Sequence, residues 1–367
     1  MTSTNINFQA NCNTTAMAIM PHTDIKRVLD IIFQLDIPFW PQLPHIAFHE
    51  DAYVQTSQNF PGINIDGTTE KMDFSIDRFE KELDDYSQKM IDPETYVLSD
   101  DYSVVYSDFL KKDLGKYLAI HGQVTGPVSF GFRVTDTDSR PIIYNTEVRT
   151  LLYDFIQRKI NLQYQQLREK NRNAFVWMDE PGLGWVFSGL SGYNDVQARR
   201  DYQNFLEGIE GPGALHLCAN VNLPYLLELG VDLLSFDAYQ IDIMPKGYTD
   251  SIAKFISNGG VISWGIVPTD SDGLSRETPE ALAHRLSGYW EVVSRNTNMS
   301  VKQIAGQSLL APASCSLKNI GQVGAADDVA DHKTRGKPDL TIEETMVETA
   351  FAYLGELSEI LKDRFNF

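Results

Sequence analysis

Cysteine is scarce in this sequence. The 367 residues include only three, Cys12, Cys218 and Cys315, too few and too widely spaced for a disulfide framework. No apolar run approaches the roughly 20 residues that span a bilayer. The N-terminus also lacks the basic region and apolar core of a signal peptide. We therefore expect a cytoplasmic protein that does not insert into a membrane.

Basic residues are also few. Thirty-one Lys and Arg stand against 50 Asp and Glu, which gives a net charge of -19. This excess of negative charge argues against a nucleic-acid partner and against an anionic membrane surface, because both need clustered cations. No glycine-rich dinucleotide fingerprint follows any predicted strand, which argues against an open nucleotide-binding sheet. Apolar residues make up 43% of the chain and are sufficient for a large core.

Apolar strand-like runs alternate with amphipathic helical segments along most of the chain. Seven strands are predicted, near residues 15–20, 117–127, 174–181, 214–218, 233–237, 260–268 and 308–311, and an eighth can lie between Pro44 and Gln55. This alternation predicts an α/β protein with the (β/α)8 TIM-barrel fold and eight parallel strands. We expect an N-terminal tail over residues 1–13 and a single barrel over 14–367. The barrel would carry an aromatic and Pro-rich insertion near 37–62 and a charged loop near 319–338.

Polar side chains follow the apolar part of nearly every predicted strand. In a barrel of this kind the carboxyl ends of the strands carry the active-site groups. The side chains expected there are His22, His121 with Gln123 and Thr125, Asp179 with Glu180, His216 with Cys218, Asp237, and Cys315.

The His-x-Cys pair at residues 216–218 suggests a metal site. Side chains two residues apart on a strand point to the same face, so His216 and Cys218 can approach one ion. With Cys315 and Asp237 they offer an imidazole, two thiolates and a carboxylate, a donor set that suits tetrahedral zinc. Spacing alone leaves a second interpretation open, in which the cysteines are ordinary buried thiols and His216 is a core histidine.

The acidic pair and the two other histidines allow several roles. Asp179 and Glu180 can act as an acid/base pair, as a clamp for a substrate amine, or as part of a surface loop. His22 and His121 can be proton shuttles, groups that orient metal ligands, or structural residues.

Several neutral side chains near the strand ends are candidates for substrate binding. Gln123 and Thr125 can hydrogen-bond to a ligand. Trp264, together with Trp40 and Trp177, can wall a planar ligand, although tryptophan is more often a core residue.

Several motifs together resemble the C-terminal barrel of cobalamin-independent methionine synthase. They resemble even more the single-barrel members of the uroporphyrinogen decarboxylase/methionine synthase-like superfamily. The motifs occur in the same order between residue 16 and about residue 317. They are ALHLC at 214–218, VDLLSFD at 231–237 and LLAPASC at 309–315, with MPHTD at 20–24, FWPQLP at 39–44, GQVTGP at 122–127, DEP at 179–181 and SWGIVPT at 263–269.

The resemblance implies a zinc ion held by His216, Cys218 and Cys315. Asp237 falls where the synthase has a glutamate ligand. Asp179 matches an aspartate that helps to hold the amino group of homocysteine. Two positions depart from the family pattern, because Ile19 replaces a serine that touches the substrate and Ser316 replaces a glycine.

The resemblance also implies an activity, transfer of a methyl group to a zinc-activated small thiol such as homocysteine. We expect Asp237, with His22 and His121 at the predicted strand ends, to be the catalytic groups. We expect the donor to be a methylcobamide carried by a partner corrinoid protein rather than methyl-folate, because the synthase uses a second barrel to bind folate. Two alternatives stay open, a metal-free lyase like uroporphyrinogen decarboxylase and a non-catalytic accessory protein that handles zinc or corrinoid.

Overall fold

A parallel β-sheet forms the centre of the computed structural model, which describes residues 6–187, 191–218, 222–314 and 340–367. Two short strands, β1 (Ile63–Asp66) and β2 (Lys71–Phe74), pair as an antiparallel hairpin outside it. The parallel sheet contains, within the described residues, six strands whose order in space follows the chain. They are β3 (His121–Thr125), β4 (Phe175–Asp179), β5 (Gly213–Leu217), β6 (Leu233–Asp237), β7 (Val261–Val267) and β8 (Ser308–Pro312).

Helices connect and cover these strands. They are α1 (Ile25–Ile32), α2 (Ala52–Ser57), α3 (Ile76–Lys89), α4 (Tyr106–Leu110), α5 (Pro127–Arg133), α6 (Thr146–Arg168), α7 (Leu183–Val186), α8 (Asp195–Glu207), α9 (Leu223–Leu227), α10 (Thr249–Ser257), α11 (Ser271–Arg276), α12 (Pro279–Asn296), α13 (Val301–Gly306) and α14 (Leu340–Phe365). Short 3-10 turns occur at Phe48–Glu50, Pro93–Tyr96, Ile142–Tyr144 and Lys246–Tyr248. Within the described ranges, no helix combines the length and apolar character needed to cross a membrane.

Side-chain caps explain where several helices begin. The Asn145 side chain accepts hydrogen bonds from two backbone N–H groups in the first turn of α6, and Thr278 caps α12 just before Pro279. Such caps satisfy N–H groups that have no partner inside the helix. The helices predicted near 24–33, 146–170, 194–208 and 279–296 are confirmed, with end shifts of at most two residues.

Two segments outside the regular strands link the edges of the sheet. Residues 14–19 and 37–42 make isolated parallel bridges, which pair Thr14 with Leu310, Ile19 with Gln42, and Phe39 with His121. Backbone hydrogen bonds accompany the bridges, for example from Thr15 N to Leu310 O at 2.9 Å. Neither segment forms a regular strand, so the described residues show a six-stranded sheet rather than the full eight-stranded barrel that the sequence predicts.

The segment between Pro44 and Gln55 was expected to supply a strand, and this prediction is wrong. It contains the start of α2, because the Asp51 carboxylate caps the helix by accepting from the N–H groups of Tyr53 and Val54. The predicted charged loop near 319–338 lies outside the described residues. In the predicted tail, residues 6–13 are not loose, since Phe8, Ala10 and Cys12 are buried.

Both faces of the parallel sheet are buried, as is usual for parallel strands. On one face, Phe175 and Trp177 of β4 pack in one cluster with Ala214, Leu233 and Val261 of the next three strands. The intervening residues of the same strands point the other way and join the larger cluster beneath the helices. The first face matters for function, because the polar residues described next lie two positions further along the same strands.

Candidate functional site

A row of polar side chains crosses five neighbouring strands. Thr125 of β3 pairs with Asp179 of β4, Asp179 pairs with His216 of β5, His216 pairs with Ser235 of β6, and Ser235 pairs with Ser263 of β7. Residues in register on adjacent strands point to the same face. The row therefore forms one polar layer directly above the apolar cluster of Trp177, Ala214, Leu233 and Val261. Three of its five members, Thr125, Asp179 and His216, were candidates in the sequence.

His216 has the environment of a metal ligand. Its Nδ1 atom lies 3.0 Å from the Oγ atom of Ser235. Its Nε2 atom is buried and has no hydrogen-bond partner among the described residues. A ligating histidine is commonly held at one ring nitrogen while the other faces the metal. The arrangement of His216 fits zinc binding through Nε2.

Cys218 and Asp237 follow the polar row by two residues, Cys218 after His216 of β5 and Asp237 after Ser235 of β6. Cys218 is buried and follows the end of β5, two residues beyond His216. Asp237 ends β6, and its carboxylate accepts hydrogen bonds from the backbone N–H and side-chain amide of Gln240. Both residues are nearly inaccessible to solvent.

The remaining predicted ligand, Cys315, lies outside the described residues. Within the described ranges, no three His, Cys, Asp or Glu side chains are grouped closely enough to hold a metal ion. Zinc binding by this chain therefore stays a prediction, and the buried Nε2 atom of His216, which has no hydrogen-bond partner among the described residues, is the observation that supports it.

Glu180, a predicted substrate-binding residue, has a structural contact instead. Its carboxylate accepts hydrogen bonds from the N–H groups of Val128 and Ser129, at 3.1 and 2.7 Å, and from the Ser129 hydroxyl at 2.6 Å. It therefore caps the first turn of α5. Burial raises the pKa of Glu180 to about 7, while the hydrogen bonds from Ser129 and Val128 oppose that shift. Of the acidic pair, Asp179 belongs to the polar row and Glu180 does not.

His121 lies at the other end of its strand from the place predicted. It is the first residue of β3 and pairs with Phe175, the first residue of β4, whereas the polar row contains the last residues of these strands. Its ring stacks between Phe39 and Phe175, with centroid distances of 5.1 and 5.3 Å. Burial lowers the pKa of His121 to about 3, so the imidazole is neutral at physiological pH. The placement at a strand carboxyl end was wrong because the apolar run 117–120 precedes the strand instead of beginning it.

His22 is buried beneath the last helix. Its Nε2 atom lies 3.5 Å from Oε1 of Glu348 on α14. Burial lowers the pKa of His22, while Glu344 and Glu348 act in the opposite direction. The contact that the structure gives His22 is thus with α14 rather than with the polar row.

Trp264, another predicted substrate-binding residue, faces the helices. It is fully buried, packs against Phe236 and Trp290, and donates from Nε1 to the Ser308 hydroxyl at 2.9 Å. Its neighbour Ser263 points to the opposite face and joins the row. The expectation that Trp264 walls a ligand at the strand ends is therefore wrong, and the tryptophan is a core residue.

The two predicted polar residues of β3 make internal contacts. The side-chain amide of Gln123 donates to the backbone oxygen of Trp40 at 3.1 Å. The hydroxyl of Thr125 donates to the backbone oxygen of Ala52, and its N–H donates to the Thr56 hydroxyl. The two hydrogen bonds of Thr125 hold α2 over the end of β3.

Tyr53 of α2 is a site residue that the sequence did not reveal. Burial raises its pKa well above the usual value, and the charge of Asp179 raises it further, with a smaller contribution from Cys218. Tyr53 therefore lies within electrostatic reach of both residues. Ser235 and Ser263 were also missed. Side chains two residues apart on a strand share a face, so counting in steps of two along each strand could have placed the two serines in the row. The position of Tyr53 cannot be found this way, because it depends on how α2 folds back.

No protein-family model matches the chain, and no curated protein matches it. Among solved structures, the chain is similar to a methyltransferase from Methanosarcina mazei, with 12% identity, a TM-score of 0.49, and coverage of 97% of this chain and 95% of the other. It is also similar to a protein assigned as a vitamin-B12-independent methionine synthase from Listeria monocytogenes, with 13% identity, a TM-score of 0.39, and coverage of 66% and 68%.

Proposed function

We propose that this protein is a zinc-dependent methyltransferase that transfers a methyl group to a small thiol such as homocysteine. The observation that carries the proposal is the state of His216. One ring nitrogen is held by Ser235, the other is buried and orphaned, and a buried cysteine follows two residues later, just past the end of β5. A buried polar atom without a partner costs free energy unless a ligand or metal satisfies it.

His216, Cys218 and Cys315 would hold the ion, and Asp237 is the proposed displaceable ligand. Bound zinc would supply the positive charge that keeps a substrate thiol deprotonated near neutral pH. The donor set agrees with this choice of metal, because thiolates and imidazole favour zinc over magnesium or calcium.

The surrounding residues are proposed to orient the substrate and exclude water. Ser235 fixes the tautomer of His216 through Nδ1. Asp179, in register with His216, is the proposed partner for the substrate amino group. Tyr53 on α2, which lies within electrostatic reach of Asp179, is proposed to cover this side of the row, and Glu180 holds the start of α5. A water-free site of this kind favours direct displacement on a methyl group.

The proposed fold is a complete eight-stranded barrel. The parallel bridges of residues 14–19 and 37–42 support it, because these segments stand where the two missing strands would close the ring. In that arrangement the carboxyl ends of all strands face one opening, where a methylcobamide on a partner corrinoid protein is the proposed donor.

Metal analysis tests the site. After purification from zinc-supplemented medium, we expect about one zinc ion per chain, lost in Cys218→Ala and Cys315→Ala. Cys12→Ala is the matched control. Cys12 is also buried, but its thiol donates to the backbone oxygen of Ala305 and it is not one of the proposed zinc ligands. A wild-type protein that remains metal-free would contradict the proposal.

A turnover assay tests the reaction. Methylcobalamin and methyl-folate are offered separately as donors, with homocysteine and other small thiols as acceptors. Zinc-edge absorption spectra with each thiol identify the acceptor, because a bound thiol adds a sulfur ligand. A thiol that binds zinc without being methylated from either donor would exclude the methyltransferase assignment and leave an accessory role.

A further inference from the structure

Two helices meet the end of β4 at Asp179. The N–H group of Gly126 donates to the backbone oxygen of Asp179 at 2.9 Å, and α5 begins at the next residue. Thr125 is in register with Asp179 and hydrogen-bonds to two residues of α2. Tyr53 lies in α2 between the two residues that Thr125 contacts. The backbone therefore brings α2 and the start of α5 to the carboxyl end of β4.

The last residue of α5 is an arginine, Arg133. The ring of the preceding residue, Phe132, lies 6.2 Å from the ring of Trp185 on α7, the helix that follows Asp179 along the chain. Arg133 is exposed, and among the described residues its guanidinium forms no hydrogen bond and no ion pair, although the chain contains 50 acidic side chains. The donors of this guanidinium are therefore available to an anionic ligand.

The Tyr53 hydroxyl lies within electrostatic reach of groups of both signs. Burial is the main cause of the raised pKa of Tyr53, and the negative charge of Asp179 raises this pKa further. The positive charge of Arg133 lowers it, and Cys218 adds a smaller rise. A carboxylate, a guanidinium and a thiol, carried by three different connections of the sheet, therefore lie near the same hydroxyl.

These three groups match the three polar parts of an α-amino acid that carries a thiol. A carboxylate such as that of Asp179 attracts an ammonium group. A guanidinium pairs with a carboxylate through two parallel N–H···O bonds, and the long side chain of arginine can turn toward a ligand. Cys218 is a proposed ligand of the zinc ion that would take the thiol.

We propose that Arg133 binds the carboxylate of the thiol substrate while Asp179 binds its ammonium group, so that the site selects zwitterionic α-amino thiols. This inference rests on the proposed function, because it needs the zinc ion to hold the thiol. It assigns a role to an arginine that has no partner among the described residues. It also predicts that a thiol with only one of the two charges is a poorer ligand.

Calorimetric titration of the zinc-loaded, full-length protein with three thiols tests this recognition. They are homocysteine, 3-mercaptopropionate, which lacks the ammonium group, and cysteamine, which lacks the carboxylate. We expect homocysteine to bind wild type at least about tenfold more tightly than either of the others, because each of those leaves one charged group of the site without its partner.

Variants separate the two charges. Arg133→Gln should weaken the binding of homocysteine and of 3-mercaptopropionate by about tenfold to a hundredfold, since charge-assisted hydrogen bonds are lost, and should leave cysteamine binding unchanged. Arg133→Lys keeps the charge without the paired donors and should restore part of the affinity. Asp179→Asn should weaken the binding of homocysteine and cysteamine only. Arg140→Gln, at another exposed arginine, is the control and should bind all three thiols as wild type does.

Unchanged homocysteine binding in Arg133→Gln overturns the inference, as does an equal loss of cysteamine binding, which would indicate a general disturbance of the site. Wild type that binds 3-mercaptopropionate or cysteamine as tightly as homocysteine overturns the preference for zwitterions. In each of these cases the proposed function still stands if wild type holds zinc and methylates a thiol. A wild-type protein that holds no zinc, or binds none of the three thiols, overturns the proposed function and this inference with it.

Discussion

The Oγ atom of Ser235 lies 3.0 Å from Nδ1 of His216, across the pairing between β6 and β5. A serine hydroxyl can accept from Nδ1–H, and then Nε2 carries a lone pair and is ready to bind a metal. In the proposed zinc site, Ser235 would therefore act on the ion only through His216. It is a positioning residue rather than a ligand, and its removal should affect affinity for the ion more than the fold.

Ser235→Ala should weaken zinc binding by about tenfold to a hundredfold, the usual effect of removing a group that orients a ligating histidine. Zinc affinity is measured by competition with a chromophoric chelator. Ser263→Ala is the matched control, because Ser263 is also buried in the polar row but its hydroxyl has no partner among the described residues. Equal zinc affinity of Ser235→Ala and Ser263→Ala would show that the hydrogen bond to His216 does not support metal binding.

Glu180 should make stability depend on pH in a particular direction. Its folded-state pKa is raised from 4.5 to about 7, chiefly by burial. A protonated Glu180 therefore favours the folded state fully below pH 4.5, and this contribution is lost as the pH rises through about 7. Relative to Glu180→Gln, the free energy of unfolding of wild type should fall by roughly 3 kcal/mol across that interval.

Urea unfolding of both proteins at a series of pH values measures this difference. Groups that titrate in both proteins contribute equally to the two free energies of unfolding, so the difference between the proteins reports Glu180 alone. Parallel stability curves for wild type and Glu180→Gln would mean that the carboxylate stays ionised while it caps α5.

The sequence predicts the order of strands and helices well, because hydrophobic periodicity and capping residues are local signals. Residues 146–170 show a helical pattern, and α6 occupies nearly that range. The pattern also predicted Asp179 and His216 at the carboxyl ends of neighbouring strands, and in the structure these two residues pair. Periodicity was less informative for residues 37–42, which join the sheet through isolated bridges and lack a regular strand pattern.

The direction of individual side chains was harder to predict. Asp179 and Glu180 are adjacent, yet one faces the polar row and the other caps α5, which becomes clear only when the end of β4 is fixed. His121 was misplaced for a similar reason, since the strand starts at this residue rather than before it. The contribution of Tyr53 depends on how α2 folds over β3, a long-range relationship that one sequence does not reveal.

Gly126 should tolerate no side chain, because it stands against the carboxylate that caps α5. An added Cβ would lie 2.2 Å from Oε1 of Glu180 and 2.3 Å from its Cδ atom. Gly126→Ala should displace Glu180 and lower the free energy of unfolding by about 1 to 3 kcal/mol. Gly288→Ala in α12 is the control, since no atom lies within 4 Å of its added Cβ, and it should raise stability by up to about 1 kcal/mol. Thermal unfolding compares the two, and a neutral Gly126→Ala would argue against the cap.

His121 provides a test of which histidines belong to the site. Because its folded-state pKa is lowered from 6.5 to about 3 by burial, its stabilising contribution is present above pH 6.5 and is lost as the pH falls toward 3. His121→Phe keeps the stack with Phe39 and Phe175 and removes the titrating group. Below pH 6.5, wild type should therefore lose stability relative to the variant by up to about 1.4 kcal/mol per pH unit. Zinc content and methyl transfer should be unchanged, whereas His216→Ala should lose zinc. Loss of methyl transfer in a folded His121→Phe protein that retains zinc would instead give His121 the catalytic role that the sequence suggested.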